Sequence, residues 1–151
     1  MSRRNAREDA FRIIFESLIN KLEANEYLEN YFEAVKEDFD GEECAFLNKP
    51  FGSDAEYIVN TLNGVLEKQA ELDQIISENL VGWSVERISK VSVAAMRLAL
   101  FEIIYAEDIP VKVAVNEAVE IAKKYDGPEC ASFVNGALGS AIKKMNISDS
   151  E

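Results

Sequence analysis

Residues 109–138, IPVKVAVNEAVEIAKKYDGPECASFVNGAL, hold two helical patterns and the break between them. Val111, Val115, Ala118, Val119 and Ala122 recur at helical spacing, while Lys112, Glu117, Glu120, Lys123 and Lys124 lie mostly off that stripe, so the first pattern predicts an amphipathic helix. Lys123 and Lys124 suit its carbonyl end, and Gly127 and Pro128 stop it. A second helix is expected to begin near Glu129, with an apolar face of Val134, Ala137, Leu138, Ala141, Ile142 and Met145. Gly136, Gly139 and Ser140 remove bulk from one side of it. A glycine costs a helix interior about 1 kcal/mol relative to alanine. Close approach by a neighbouring helix, or a bound partner, is the expected compensation. Asn116 and Asn135 are expected to tie helices together through hydrogen bonds.

Working outward, residues 91–106 (VSVAAMRLALFEIIYA) are apolar almost all round and predict a buried central helix. Arg97 and Glu102 interrupt it five residues apart, too far out of register to pair along one helix, so each must find a partner elsewhere or reach the surface. Ser84 or Ser89 can cap short turns before this segment. Upstream, Leu72, Ile75, Ile76, Leu80 and Trp83 form one helical stripe after a polar hinge near Glu71. Before the hinge, Ser53 and Glu56 stand at capping-box spacing ahead of Tyr57, Ile58, Leu62, Val65 and Leu66. The stretch 38–53 reads as a long acidic loop. Asn25 can cap a helix carrying Tyr27, Leu28, Tyr31, Phe32 and Val35, and residues 5–22 give a stripe of Ala6, Ala10, Ile13, Ile14, Ser17 and Leu18, widened by Phe11 and Phe15. No strand-period pattern competes with these, so the expected class is all-α, about seven helices in a single domain of 151 residues.

Charge is unevenly spread. Residues 1–12 carry Arg3, Arg4, Arg7 and Arg12 against Glu8 and Asp9, a net +2, so the −12 of the whole chain leaves −14 on the other 139 residues. Such a body repels nucleic acid and attracts basic proteins, and any polyanion must engage the arm first. As a helix the arm would set Arg3, Arg4 and Arg7 on adjoining faces. Cations there oppose the macrodipole, a cost that suggests function.

Several chemistries are missing. The chain has no histidine, the commonest general base and metal ligand. Its glycines never form a phosphate-cradling motif. An EF-hand register that puts Gly41 at loop position 6 places Lys36 and Leu47 where carboxylates are required. Cys44 and Cys130 are too few and too far apart for a metal knuckle and read as thiols of a reducing compartment, with the cytoplasm as default. Neither an apolar signal core nor a run of about 18 apolar residues is present. The expectation is a protein without enzymatic activity, cofactor or metal.

The N-terminal RRNAREDAFRIIF, the central AMRLALFEIIYAEDIP, then VAVNEAVEIAKKY and FVNGALG, in this order and spacing, closely resemble the NusB family of bacterial transcription antitermination factors. The resemblance runs from Arg3 to about Ile142. It implies an all-helical fold of two small bundles and an RNA-binding role without catalysis. It also implies binding to boxA-type single-stranded RNA of nascent ribosomal RNA operon transcripts, as a heterodimer with NusE, a small-subunit ribosomal protein. The pair would join other Nus factors on RNA polymerase and suppress premature termination. By the same resemblance Arg3, Arg4 and Arg7 match the family's arginine-rich RNA-binding arm, and Phe133, opening FVNG, matches an aromatic associated with RNA contact. Phe15 stands where the family often has tyrosine, so it can stack on a base but cannot donate a hydroxyl hydrogen bond. Phe15 lies beside the apolar stripe and is equally readable as core, while Phe133, also adjacent to a core face, reads first as an RNA contact. Glu86, just ahead of Ile88, is a candidate polar contact on a partner face built from the central helices.

A magnitude favours a second subunit. About three phosphate contacts on single-stranded RNA give a salt slope of about −2, so affinity changes only about 20-fold between about 50 and 200 mM salt. A basic partner would neutralise the acidic body and extend the RNA surface. Two rival readings remain: a helical protein-binding scaffold, homodimeric or not, and a substrate-holding subunit of a ribosomal RNA methyltransferase, where NusB-like domains also occur.

Overall fold

The computed structural model describes residues 2–39 and 52–147, with side chains described for all of these except 36–39. Among them are seven α-helices: α1 (Arg3–Ser17), α2 (Ala24–Phe39), α3 (Ser53–Glu67), α4 (Gln69–Glu78), α5 (Lys90–Tyr105), α6 (Val111–Asp126) and α7 (Pro128–Met145), with a 3-10 turn at Val85–Arg87. The all-α expectation holds. The chain divides into two compact units, Met1–Leu66 and Glu67–Glu151. Asp38 and Phe39 belong to α2 and Ser53 opens α3, so the ends of the expected 38–53 loop are helical, while its middle, with Cys44, lies outside the described residues.

In the first unit α1 starts at once. Ser2 Oγ accepts the Asn5 N–H at 3.1 Å, which satisfies one of the otherwise orphaned donors of the first turn. Ala6, Ala10, Phe11, Ile13 and Ile14 are buried, as the stripe predicts. The start of α2 is a correction: Asn25 is exposed within the first turn, and the entry is held instead by the Glu26 carboxylate, which accepts the Glu23 N–H at 2.9 Å. The Tyr27 hydroxyl accepts the Leu22 N–H at 3.0 Å and donates to the Asn20 carbonyl, fastening the α1–α2 turn. Tyr57, Ile58, Leu62 and Val65 of α3 complete the buried set.

In the second unit Val93 to Leu100 of α5 are buried without interruption. Arg97 looks outside its own helix, as its isolation requires: Nε and a terminal nitrogen donate to the two Asp73 oxygens of α4 at 2.8 and 2.7 Å, a bidentate fork. Glu102 is buried as well. Ser89 supplies the cap, its Oγ accepting the Ser92 N–H at 3.1 Å. Two boundaries move. The α3–α4 break falls at Lys68 rather than near Glu71, and α4 ends at Glu78, which leaves Trp83 outside the helix the stripe assigns it to. Gly82, with φ of 79°, turns the chain between them. The helices α6 and α7 run antiparallel across Gly127, whose φ of 94° suits glycine, and both pack on α5.

The glycines of α7 are not explained by this packing. A Cβ added at Gly136 or Gly139 would meet nothing within 4 Å, so no helix approaches closely there. Asn116 and Asn135 are exposed, and neither side chain hydrogen-bonds to a described residue, contrary to the scaffold role expected of them.

Candidate nucleic-acid interface

The arginine edge is the first turn and a half of α1. Arg3 is half-buried: its Nε donates to Asp54 Oδ1 at 3.1 Å, a terminal nitrogen to the Ser53 carbonyl at 3.4 Å, and its guanidinium lies 4.6 Å from the Tyr57 ring centroid. Asp54 sits in the first turn of α3, where an acid complements the helix dipole. One carboxylate thus suits the start of its own helix and offsets a cation misplaced at the start of another. Arg7 is only 5% exposed, with its guanidinium 5.7 Å from the same ring. Arg4 is exposed. The three arginines therefore do not share one solvent face. Helical phase turns Arg7 inward beside Ala6 and Ala10, leaving Arg4 on the wet side and Arg3 between.

Phe15 is half-buried, its ring 6.2 Å from Phe11 in a tilted arrangement. One edge packs on the unit's own core and the remainder faces outward. Arg12 reaches back toward Glu8 at 3.8 Å along the helix.

In the second unit Phe133, one turn into α7, is half-buried on the wall of a concavity of about 340 Å³. Trp83, Arg87, Ser92, Glu129 and Cys130 share that wall. Glu86 is exposed in the 3-10 turn, next to Arg87, so the turn proposed for partner contact and the aromatic proposed for RNA contact border the same hollow. Trp83, 56% exposed, is the feature the sequence stripe misses. Gly82 and Ser84 on either side were the available signal that the helix had ended. Asp126 and Glu129 outnumber Arg87 along the wall, so the hollow repels a bare phosphate backbone and suits a ligand with a cation to offer. The Cys130 thiol lies 3.1 Å from Ser92 Oγ, and burial, partly opposed by that hydroxyl, pushes its pKa up. A raised thiol pKa makes a poor nucleophile at neutral pH.

No helix among the described residues is long and apolar enough to cross a membrane, and no described group of three histidine, cysteine or acidic side chains is placed to hold a metal.

Comparison with known proteins agrees with this architecture. The model of the NusB family matches residues 4–143. The chain is 39% identical to the transcription antitermination protein NusB of Clostridium novyi (strain NT), over 95% of this chain and 99% of that protein. It is 41% identical to that of Acetivibrio thermocellus, over 95% and 90%. Among solved structures, T. maritima NusB superposes with a TM-score of 0.79 at 28% identity, covering 95% of this chain and 92% of that one. A crystal structure of antitermination factors NusB and NusE in complex with double-stranded RNA shares the fold, with a TM-score of 0.78 at 24% identity over 94% and 96%. On the family model and the near full-length identity alike, this chain belongs to the NusB family.

Proposed function

We propose that this chain is a non-enzymatic, cytoplasmic RNA adaptor of transcription antitermination, binding boxA-type single-stranded RNA of nascent ribosomal RNA operon transcripts together with NusE. The observation that carries the reading is the start of α1. Arg3 and Arg4 stand at the accessible edge of a chain whose other residues are strongly acidic, in the motif where NusB proteins keep their arginines. Arg7 acts from beneath: its guanidinium beside Tyr57 supports the ring on which Arg3 lies. Phe15 and Phe133 each offer part of a ring for stacking on an unpaired base.

With two accessible arginines rather than three, the salt slope of the isolated chain becomes about −1.4, or roughly a sevenfold affinity change between about 50 and 200 mM salt. So weak an electrostatic contribution calls for the second subunit. The hollow beside Trp83, with its excess of acids and Glu86 on the adjoining turn, supports a basic protein partner in the second unit. Other Nus factors and RNA polymerase would join once RNA and NusE are bound, and without NusE the exposed hollow is open to self-association as a homodimer.

Fluorescence anisotropy of a boxA RNA, titrated with this protein alone and with its cognate NusE at two salt concentrations, tests the reading. The expected result is weak, salt-sensitive binding alone and strong synergy with NusE. A complex with NusE that binds no RNA would leave a protein scaffold, and binding only to mature ribosomal RNA with a separate methyltransferase would favour the substrate-holding role.

A further inference from the structure

The helices α6 and α7 enclose a second groove, at the end of their hairpin remote from Gly127, with a volume of about 590 Å³. Four residues along it, two glycines and two asparagines, go unexplained by the protein's own packing. Gly136 and Gly139 lower helix propensity with open space beyond them, and Asn116 and Asn135 turn unused amides to solvent among the described residues. Asn135, Asn116 and Gly139 line the groove directly, and Gly136 adjoins it. Its floor is aliphatic, from Val115, Ile142 and Ile147. Its charged lining is Lys112 and Lys143, with no described acid among the lining residues, although the chain carries 28 acids.

We propose that this groove docks an extended acidic peptide segment of a protein partner, with an aliphatic side chain inserted between the lysines. Each feature has a role in that complex. A carboxamide carries one donor group and one acceptor, the complement of a peptide group, so Asn116 and Asn135 hydrogen-bond an extended main chain without reading its sequence. The missing side chain at Gly139 lets that main chain approach the surface of α7. The floor takes an aliphatic side chain, and the two lysines select acidic neighbours, the sign the rest of this protein repels. Single-stranded RNA is the other polyanion to weigh. Its recognition rests on bases stacked on aromatic rings, and no described aromatic side chain lines this groove.

The test is selection of a displayed random-peptide library on the full-length protein, followed by titration of the synthetic winners into nitrogen-15-labelled protein. Enriched peptides are expected to combine acidic residues with an aliphatic one and to shift the side-chain amide resonances of Asn116 and Asn135. Lys112→Glu with Lys143→Glu should weaken binding about tenfold or more, since like charges then face each other. Gly139→Leu, which fills the groove from a position with open space, should do the same with unchanged circular dichroism. If Gly139→Leu fails to fold, the exposed lysine reversals still decide. Selection of peptides without acidic bias, binding that survives charge reversal, or displacement of the same amide resonances by oligouridylate and not by peptide would each overturn the proposal.

Discussion

The two units display their candidate groups in opposite ways. In Met1–Leu66 the side chains proposed for RNA contact are also structural: Arg3 is held by Asp54 and Tyr57, Arg7 is buried, and Phe15 leans on Phe11. In Glu67–Glu151 the two roles separate. The core is α5, buried from Ser92 to Leu100, with its neighbours, while Trp83, Glu86 and Arg87 stand on a rim that packing barely uses. Binding and stability should therefore be hard to disentangle by mutation in the first unit and easy in the second.

The sharpest test of the separation is the interior itself. Asp73→Ala strips the buried Arg97 guanidinium of its fork and should cost about 3 kcal/mol in urea unfolding, because an uncompensated charge remains. The double variant Arg97→Met with Asp73→Leu should recover most of that loss. RNA affinity of the folded fraction should hold in both. A smaller effect is expected in the first unit, where the buried Tyr31 hydroxyl donates to Asp9 Oδ2 at 2.7 Å. Tyr31→Phe removes one hydrogen bond to a carboxylate and should cost about 2 kcal/mol. Since α1 carries both Asp9 and the arginine edge, RNA affinity should fall with it. If Tyr31→Phe left RNA binding intact while Asp73→Ala abolished it, the contrast between the units would be inverted.

How far the sequence discloses these sites follows the same line. Periodicity locates all seven helices because burial is a one-dimensional signal at 3.6-residue spacing, and it identifies α5 by the absence of a polar face. Arg97 is legible as a residue in need of a partner, yet Asp73 as that partner is not, since a contact across 24 residues leaves no trace in spacing. The arginine cluster is legible as charge. What is hidden is that Arg7 turns inward, which depends on the helix beginning at Arg3 directly after the Ser2 cap. Trp83 is misassigned because an apolar residue in phase with a stripe looks like its continuation even past the end of the helix. Asn116 and Asn135 show the converse error: a buried asparagine bridging helices and an exposed one facing a groove have identical local sequence, and only the packed structure tells them apart.

At the more exposed positions of either unit, stability effects should shrink and binding effects should not. Arg3→Ala loses a partly exposed ion pair worth up to about 1 kcal/mol of stability, along with RNA affinity. Trp83→Ala should change stability by less than about 0.5 kcal/mol and yet weaken NusE binding measurably in calorimetry, because an aromatic side chain over half exposed contributes little to the fold and much to a partner. A destabilisation as large as that of Asp73→Ala would show that the rim belongs to the core after all.

The smallest effect reads the same hollow from inside. Burial raises the Cys130 pKa, so the folded protein favours the neutral thiol. The sign follows: this preference is fully present below the unfolded thiol's pKa and is lost as pH rises through the higher folded value, giving a slight decline in stability on the alkaline side. In a Cys44→Ser background, Cys130 should react with a disulfide reagent at pH 8 more slowly than a free thiol. Ser92→Ala, which removes a hydroxyl that lowers the pKa, should slow it further. A partner seated beside Trp83 should add steric protection on top of both, whereas RNA bound only at the α1 edge should leave the rate unchanged. The thiol thus reports which unit a ligand occupies, without perturbing either one.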